Sequence, residues 1–258
     1  MAAALVALGS EEAIAHGGLG VVRIAEIVGG DKGQLSRLLK TLAESGLVER
    51  DRDTLVYRLG WQLYALAARA GDQRLLTAAR PLLVRLVESL GERVNLSVLR
   101  GAEVLTVLSE SPPWEIQAAG WVGRTVPACC TSSGRALLLD AQRGELAALF
   151  ADKGLARPAP KAPRTVDELF VRVQSSRARG YAVVNQEFEP GLVGAAAPVR
   201  DYRGRVCAAI NVSAPKFRIG GRDRLGALGE AMRTAADELS LLLGEPNGQN
   251  GTETEEDA

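Results

Sequence analysis

Between Lys32 and Thr41 the chain holds no acidic residue, and Lys32, Gly33, Gln34, Ser36, Arg37 and Lys40 alternate with Leu35, Leu38 and Leu39. On a helix turning roughly 100° per residue the leucines share one side, so Gly33, Ser36, Arg37 and Lys40 point outward with Lys32 at the leading edge. Such a face suits the major groove of a duplex. Small or polar residues near the helix N-terminus let the backbone approach base edges, and Arg or Lys hydrogen-bonds guanine or phosphate. Gln34 has two readings, a base contact or part of the helix cap. Farther on, Arg50 and Arg52 fall at the tip of an expected hairpin, where they would touch phosphate and position the protein without reading sequence. A basic helix face can also be plain solvated surface. Overall charge does not decide, since the stretch from Arg23 to Arg58 has seven basic and six acidic side chains.

A second group is Thr131, Ser132, Ser133 and Gly134. This TSSG run opens a helix, whose free first-turn amides form a ready anion site, so Ser132 and Ser133 could hold a carboxylate. Thr131 or Ser132 acting only as a cap is compatible with that. Cys129 and Cys130 adjoin the run with Arg124 and Arg135 near in sequence. Partly exposed, such a pair would be a redox-sensing thiol site; buried, it would be inert apolar filling. With three cysteines and His16 as the sole histidine, in the other half of the chain, neither a zinc site nor a histidine-based triad is expected. No cofactor is implied, because neither GVVRIAEIVGG nor GGRDRLGALG fits a phosphate loop or dinucleotide fingerprint. Glu187 and Glu189 are a paired-carboxylate candidate that Pro190 and Gly191 place in a loop.

The elements that must hold these groups follow from periodicity. Val21, Ile24, Ala25 and Val28 form one helical stripe and Leu35, Leu38, Leu39, Leu42 and Ala43 another. The turn between them is Gly29, Gly30 and Asp31, with Asp31 and Gln34 as a capping-box-like start. A basic hairpin follows, and helix, turn, helix and wing together predict a winged helix-turn-helix. Residues 60–90 read as two helices broken near Gly71, with Pro81 kinking the second or marking its start. Strands are expected over Val94–Leu99, Glu103–Ser109, Tyr181–Glu187, Ala195–Arg200 and Val206–Ser213. The first two of these strands join across Arg100 and Gly101. Two short helices are expected after Thr131, a longer one over Thr165–Gly180 and a closing one over Arg222–Leu243. The fold class is α+β.

The 258 residues call for two domains. We expect a DNA-binding domain over 1–60, a linker helix over 61–73, a larger domain over 74–243 and a disordered acidic tail over 244–258. Zero net charge excludes a nonspecific nucleic-acid coat but not specific binding by a dimer. No apolar run reaches membrane-spanning length and the start lacks a signal peptide's basic region, so a cytoplasmic protein is expected. In the last strand Cys207, Ala209, Asn211 and Ser213 share a small, polar face suited to a pocket floor. Trp114 and Trp121 are candidates for a lid or for core.

The chain to about Gly244 resembles the IclR family of bacterial transcriptional regulators. The motifs are LSRLLKTLAESGLVERD followed by YRLG, then VPACCTSSGRALLLD, the long stretch from RARGYAVVNQEFEPGLVG to INVSAPKFRI, and AADELSLLLG. The resemblance implies a winged helix-turn-helix, a linker helix, a GAF-like effector-binding domain, and a homodimer or homotetramer on a palindromic operator in double-stranded DNA. It places effector contacts at Ala118, Val126, Ser132, Ser133, Val184, Leu192, Gly194, Asn211 and Ser213. Two positions depart from members that respond to glyoxylate or pyruvate: Val184 stands in place of an acid and Gly194 in place of a cysteine. Both remove polar contacts and the second also enlarges the space. A larger, partly apolar organic acid, aromatic or branched-chain, is therefore expected. A thiol-based redox sensor and a GAF-like small-molecule enzyme are the competing readings.

Overall fold

The computed structural model describes residues 1–67, 73–113, 121–219 and 222–244, and the chain divides into two units, Met1–Gln73 and Arg74–Ala258. The expected tail, Trp114, Ala118 and the break near Gly71 all lie outside the described residues.

In the first unit the helices are α1 (Ala2–Leu8), α2 (Glu11–Ala15), α3 (Val21–Val28) and α4 (Lys32–Glu44), followed by strands β1 (Val48–Arg50) and β2 (Tyr57–Leu59) and helix α5 (Trp61–Ala67). The two apolar stripes meet as expected: Ile24, Leu35, Leu39 and Leu42 are buried together, with Val21, Ala25, Val28, Leu38 and Ala43 packed at the edge. Each fully buried aliphatic chain contributes on the order of 2 kcal/mol. Helices α1 and α2 complete this core with Ala4, Ala7, Leu8 and Ala13. The Asp31 carboxylate accepts from the Gln34 amide at 2.8 Å, so the start of α4 is fixed by a side-chain cap. Behind the wing, Leu19 bridges Tyr57 through two backbone hydrogen bonds of 2.9 and 2.8 Å.

In the second unit α6 (Gln73–Leu90) continues past Pro81, which neither starts nor ends it. Proline removes one N–H from the ladder, and the buried Leu75, Ala79, Leu82, Leu83 and Val87 outweigh that loss. Next come β3 (Val94–Arg100), β4 (Glu103–Glu110) and β5 (Thr125–Pro127), a 3-10 turn at Ala128–Cys130, and helices α7 (Ser132–Leu137), α8 (Arg143–Leu149) and α9 (Val166–Arg179). Strands β6 (Ala182–Asn185), β7 (Leu192–Arg200) and β8 (Val206–Pro215) and helices α10 (Lys216–Ile219) and α11 (Arg222–Gly244) close the chain. The β3–β4 turn falls on Gly101 and Ala102, one residue later than expected, because Arg100 pairs with Glu103.

All strands of the second unit join one antiparallel sheet in the order β5-β4-β3-β8-β7-β6. One face packs on α6 and α11 through residues such as Leu96, Ile210, Val212, Met232 and Leu239. The other packs on α7, α8 and α9 through Ala196, Ala209, Leu137, Leu146 and Leu169. Register along β4 shifts midway: Leu96 pairs with Leu108 but Ser97 pairs with Thr106. This bulge turns Leu108 toward the α6/α11 core while Thr106 joins the opposite face.

Helix α7 is short, and every residue from Ser132 to Leu137 is buried. It lies so close to the turn before it that a Cβ on Gly134 would stand 2.2 Å from the Ala128 carbonyl oxygen. Gly134→Ala should therefore lower stability by at least about 2 kcal/mol in urea unfolding, because backbone has to move on both sides of the contact.

Candidate functional site

Lys32, Gly33, Gln34, Ser36, Arg37 and Lys40 are all exposed on α4, opposite its buried leucines. On the wing the structure corrects one position. Arg50 is not at the tip: it is the last residue of β1, paired with Tyr57, and its guanidinium lies 5.5 Å over the Tyr57 ring. The loop is wider than expected because the Asp51 carboxylate accepts hydrogen bonds from the Asp53 and Thr54 amides and the Thr54 hydroxyl. Arg52 sits in that loop, exposed. Those hydrogen bonds hold the Asp51 carboxyl below its ordinary range.

Charge pairing separates the cations of this unit. Arg23 is bound by Glu12 and Glu26, and Arg58 by Glu49 across the wing strands. Among the described residues no carboxylate pairs with Lys32, Arg37, Lys40, Arg50 or Arg52. Asp31 and Asp51, next in sequence to Lys32 and to Arg50 and Arg52, are engaged by the α4 cap and the wing loop. A near-neutral composition thus resolves into one surface whose positive charge is uncompensated by neighbours.

In the second unit a cavity of about 270 Å³ opens on the sheet face that carries α7. It brings together Val126, Ser132, Ser133, Val184, Leu192, Gly194, Asn211 and Ser213. Sheet register explains the grouping, because Gly194 pairs with Ser213 and Ala196 with Asn211, and alternate residues share a face. Thr131 caps α7 by accepting from the Gly134 amide at 3.2 Å and donates to the Pro127 carbonyl at 3.0 Å. The first two amides of α7 belong to Ser132 and Ser133, and a helix's first turn has no intrahelical acceptors.

Gly194 does not leave open space. A Cβ there would lie 2.9 Å from the Ser132 hydroxyl oxygen, so that hydroxyl occupies the room where extra volume was expected.

The floor is polar and partly self-bonded. The Ser97 hydroxyl donates to Asn211 Oδ1 at 3.5 Å, and Asn211 Nδ2 donates to the Ser213 hydroxyl at 3.4 Å. Sequence reasoning missed Asn95, Ser97, Thr106, Phe188, Arg93 and Arg218, which also line the cavity. In VNLSVL the polar residues fall at every second position of an otherwise apolar strand, which is the signal for a polar inner face. Trp121, half-buried at the wall, has the Arg93 and Arg124 guanidiniums 5.8 and 5.6 Å from its ring centre. Arg218 pairs with Glu92 at 3.0 Å, and among the described residues no carboxylate lines the cavity.

Behind α7, the buried Arg135 binds Glu187 through two nitrogens and also donates to the Val183 carbonyl. Arg172 holds the same carboxylate from α9. Glu187 is therefore a structural anchor beside Phe188 of the cavity wall, not half of a paired-carboxylate site. Cys129 and Cys130 are unbridged and fully buried. Cys129 Sγ donates to the Ala156 carbonyl and Cys130 Sγ to the Pro127 carbonyl; the adjacent thiols interact, which holds Cys129 below the usual thiol range and pushes Cys130 up, yet neither faces solvent. No group of metal-ligating side chains occurs among the described residues, nor a helix long and apolar enough to cross a membrane.

Comparison with known proteins gives a consistent picture. Residues 67–241 match the model of the bacterial transcriptional regulator IclR C-terminal domain, and residues 13–52 that of the IclR helix-turn-helix domain. The HTH-type transcriptional regulator BhcR of Paracoccus denitrificans is 35% identical over 229 residues, covering 87% of this chain and 80% of that one. The HTH-type transcriptional repressor AllR of Escherichia coli is 28% identical over 209 residues, covering 81% and 77%. The crystal structure of the Thermotoga maritima IclR protein is similar in fold, with a TM-score of 0.71 at 24% identity over 88% of this chain and 92% of that one. An IclR homolog from Microbacterium hydrocarbonoxydans, complexed with 4-hydroxybenzoate, has a TM-score of 0.73 at 25% identity, covering 87% and 90%. These relatives are regulators, not enzymes.

Two outcomes follow from this geometry. Glu187→Ala strands two guanidiniums, one of them buried, and should cost about 3 kcal/mol of unfolding free energy. A thiol reagent mixed with native protein should leave Cys129 and Cys130 unmodified until the chain unfolds, whereas prompt labelling of either would restore the redox-sensor reading.

Proposed function

The chain belongs to the IclR family of bacterial transcriptional regulators, and on that premise we propose that it binds a palindromic operator in double-stranded DNA as a homodimer or homotetramer. Its affinity for the operator is set by a small organic acid held in the cavity of the second unit. The observation that carries the DNA-binding half is the set of five cations without carboxylate partners on α4 and the wing.

In this reading Lys32, Gly33, Gln34, Ser36, Arg37 and Lys40 enter the major groove, while Arg50 and Arg52 contact phosphate. Two copies of α4 in a dimer then stand about 34 Å apart, one turn of duplex. The regulator acts in the cytoplasm.

Ser132 and Ser133 hold the acid's carboxylate with hydroxyls and helix-start amides. Val126, Val184, Phe188 and Leu192 cover its apolar body, and Asn211 and Ser213 lie beneath. By family resemblance Ala118 belongs to the same set. A cavity of 270 Å³ holds roughly nine water volumes, far more than a two-carbon keto acid fills. An aromatic or branched-chain acid fits it better, and the related protein that holds 4-hydroxybenzoate supports that choice. The acid regulates by binding one arrangement of the protein better than another, with a coupling of about 1 to 3 kcal/mol. The burial of both Cys129 and Cys130 weighs against a thiol switch.

Arg37→Glu should weaken binding to the protein's own promoter fragment about 10- to 100-fold at fixed salt, with Arg157→Glu as a control that changes nothing. Equal affinity of Arg37→Glu and the unmodified protein would overturn the DNA-binding assignment. For the ligand, aromatic or branched acids at about 100 times Kd should stabilise the protein by about 2.7 kcal/mol in thermal unfolding, and glyoxylate should not. Strong stabilisation by glyoxylate with inert aromatic acids would reverse the assignment of effector class.

A further inference from the structure

The cavity floor contains one polar side chain that the protein leaves unsatisfied. Asn95 is 6% exposed, lines the cavity, and among the described residues its carboxamide oxygen has no hydrogen-bond partner. Its neighbour across the β3–β8 ladder is Asn211, whose oxygen is taken by Ser97 and whose nitrogen is given to Ser213. The Ser97–Asn211–Ser213 chain engages both ends of the Asn211 carboxamide and does not reach the Asn95 oxygen. A buried polar group without a partner is costly, and native structures usually satisfy it or reserve it for a ligand.

Position says what that ligand group is. Gly194, against which Ser132 rests, is on β7, while Asn95 is on β3, with β8 between them. Two strand spacings are about 9.5 Å, and because Gly194 pairs with Ser213 while Asn95 pairs with Asn211, a two-residue offset of about 6.8 Å along β8 makes the backbone span about 12 Å. Side chains reach inward from both ends of that span, so a six-membered ring with substituents at opposite positions, plus one hydrogen bond at each end, bridges it. Rotating the Asn95 carboxamide exchanges its donor and acceptor ends, and a hydroxyl can meet either.

We infer that Asn95 is a specificity-determining residue that reads a hydroxyl on the effector, opposite its carboxylate, so that the ligand class is a hydroxyaryl acid. This rests on the assignment of the cavity as an acid-binding site. A hydroxyl there pairs with the carboxamide, whereas a methyl group in its place leaves the amide buried and unpaired. The carboxylate end is indifferent to that exchange.

The test is calorimetric titration of the full-length protein with 3- and 4-hydroxybenzoate and with 3- and 4-methylbenzoate, repeated on Asn95→Leu. Leucine has nearly the shape of asparagine and is tolerated in a buried strand, and a urea midpoint on each protein confirms that the variant folds. The unmodified protein should prefer a hydroxylated acid over its methyl counterpart by about 10-fold or more. Asn95→Leu should reduce that preference to within about 3-fold, through tighter methylbenzoate and weaker hydroxybenzoate binding. Equal affinities in the unmodified protein, or a preference that survives Asn95→Leu, would overturn the role of Asn95 and leave the acid-binding cavity standing. Failure of all four acids to bind would overturn the hydroxyaryl class, and failure of branched-chain acids as well would overturn the acid-binding cavity. Should Asn95→Leu not fold, Asn95→Ser replaces it, with the same loss of preference expected and a retained preference counting against the inference.

Discussion

The second unit depends on how deeply α7 is pressed into the sheet. Its six residues are all buried, and three of the first four have a fixed neighbour. Ser132 rests on Gly194, Gly134 abuts the Ala128 backbone, Arg135 reaches Glu187 and Val183, and the preceding Thr131 seals the helix start. A side chain at position 134 would push the helix outward, and a larger residue at 194 would displace the Ser132 hydroxyl. The cavity is thus made by a close approach that only small residues permit. Its polar rim is held by a buried ion pair, whose geometry must be good because desolvation offsets much of its attraction.

The first unit is governed by a different constraint. It has nine acids against eight bases, and its function rests on where pairing leaves charge over. Arg23 ties α3 to α2 and Arg58 ties the wing strands to each other, so those cations act in folding. Asp31 and Asp51 serve backbone amides at the two places where the chain must turn. The carboxylates are thereby spent on architecture, and the outward side of α4 keeps its positive field. Net charge could not have shown this, since it averages over residues with unlike duties.

Much of this was legible beforehand, and the exceptions have physical causes. Long elements with an unbroken period, such as α4, α9 with Thr165 and Gly180 at its ends, and α11, were read nearly to the residue. The eight described residues that family resemblance grouped as effector contacts do line one cavity. Short β5 has too few residues to show a period, and the β4 bulge cannot be seen in alternation, because it changes which face a residue joins without changing the residue. Arg50 was misplaced because the width of the wing loop depends on the hydrogen bonds of Asp51. Asn95 was not singled out because alternation shows which residues of a strand share a face but not which element covers that face.

Strands β7 and β8 carry Ala195, Ala196, Ala197, Ala208 and Ala209, all without exposure. Methyl groups have no rotamers with which to absorb a displacement. At these positions the sheet therefore puts little more than backbone between the helices of its two faces, while Leu96, Ile210 and Val212 fill the space around them. A bulkier residue at any of the five alanines would have to push a helix outward, so the thinness of the sheet at its middle is fixed by composition and not by the loops at its ends.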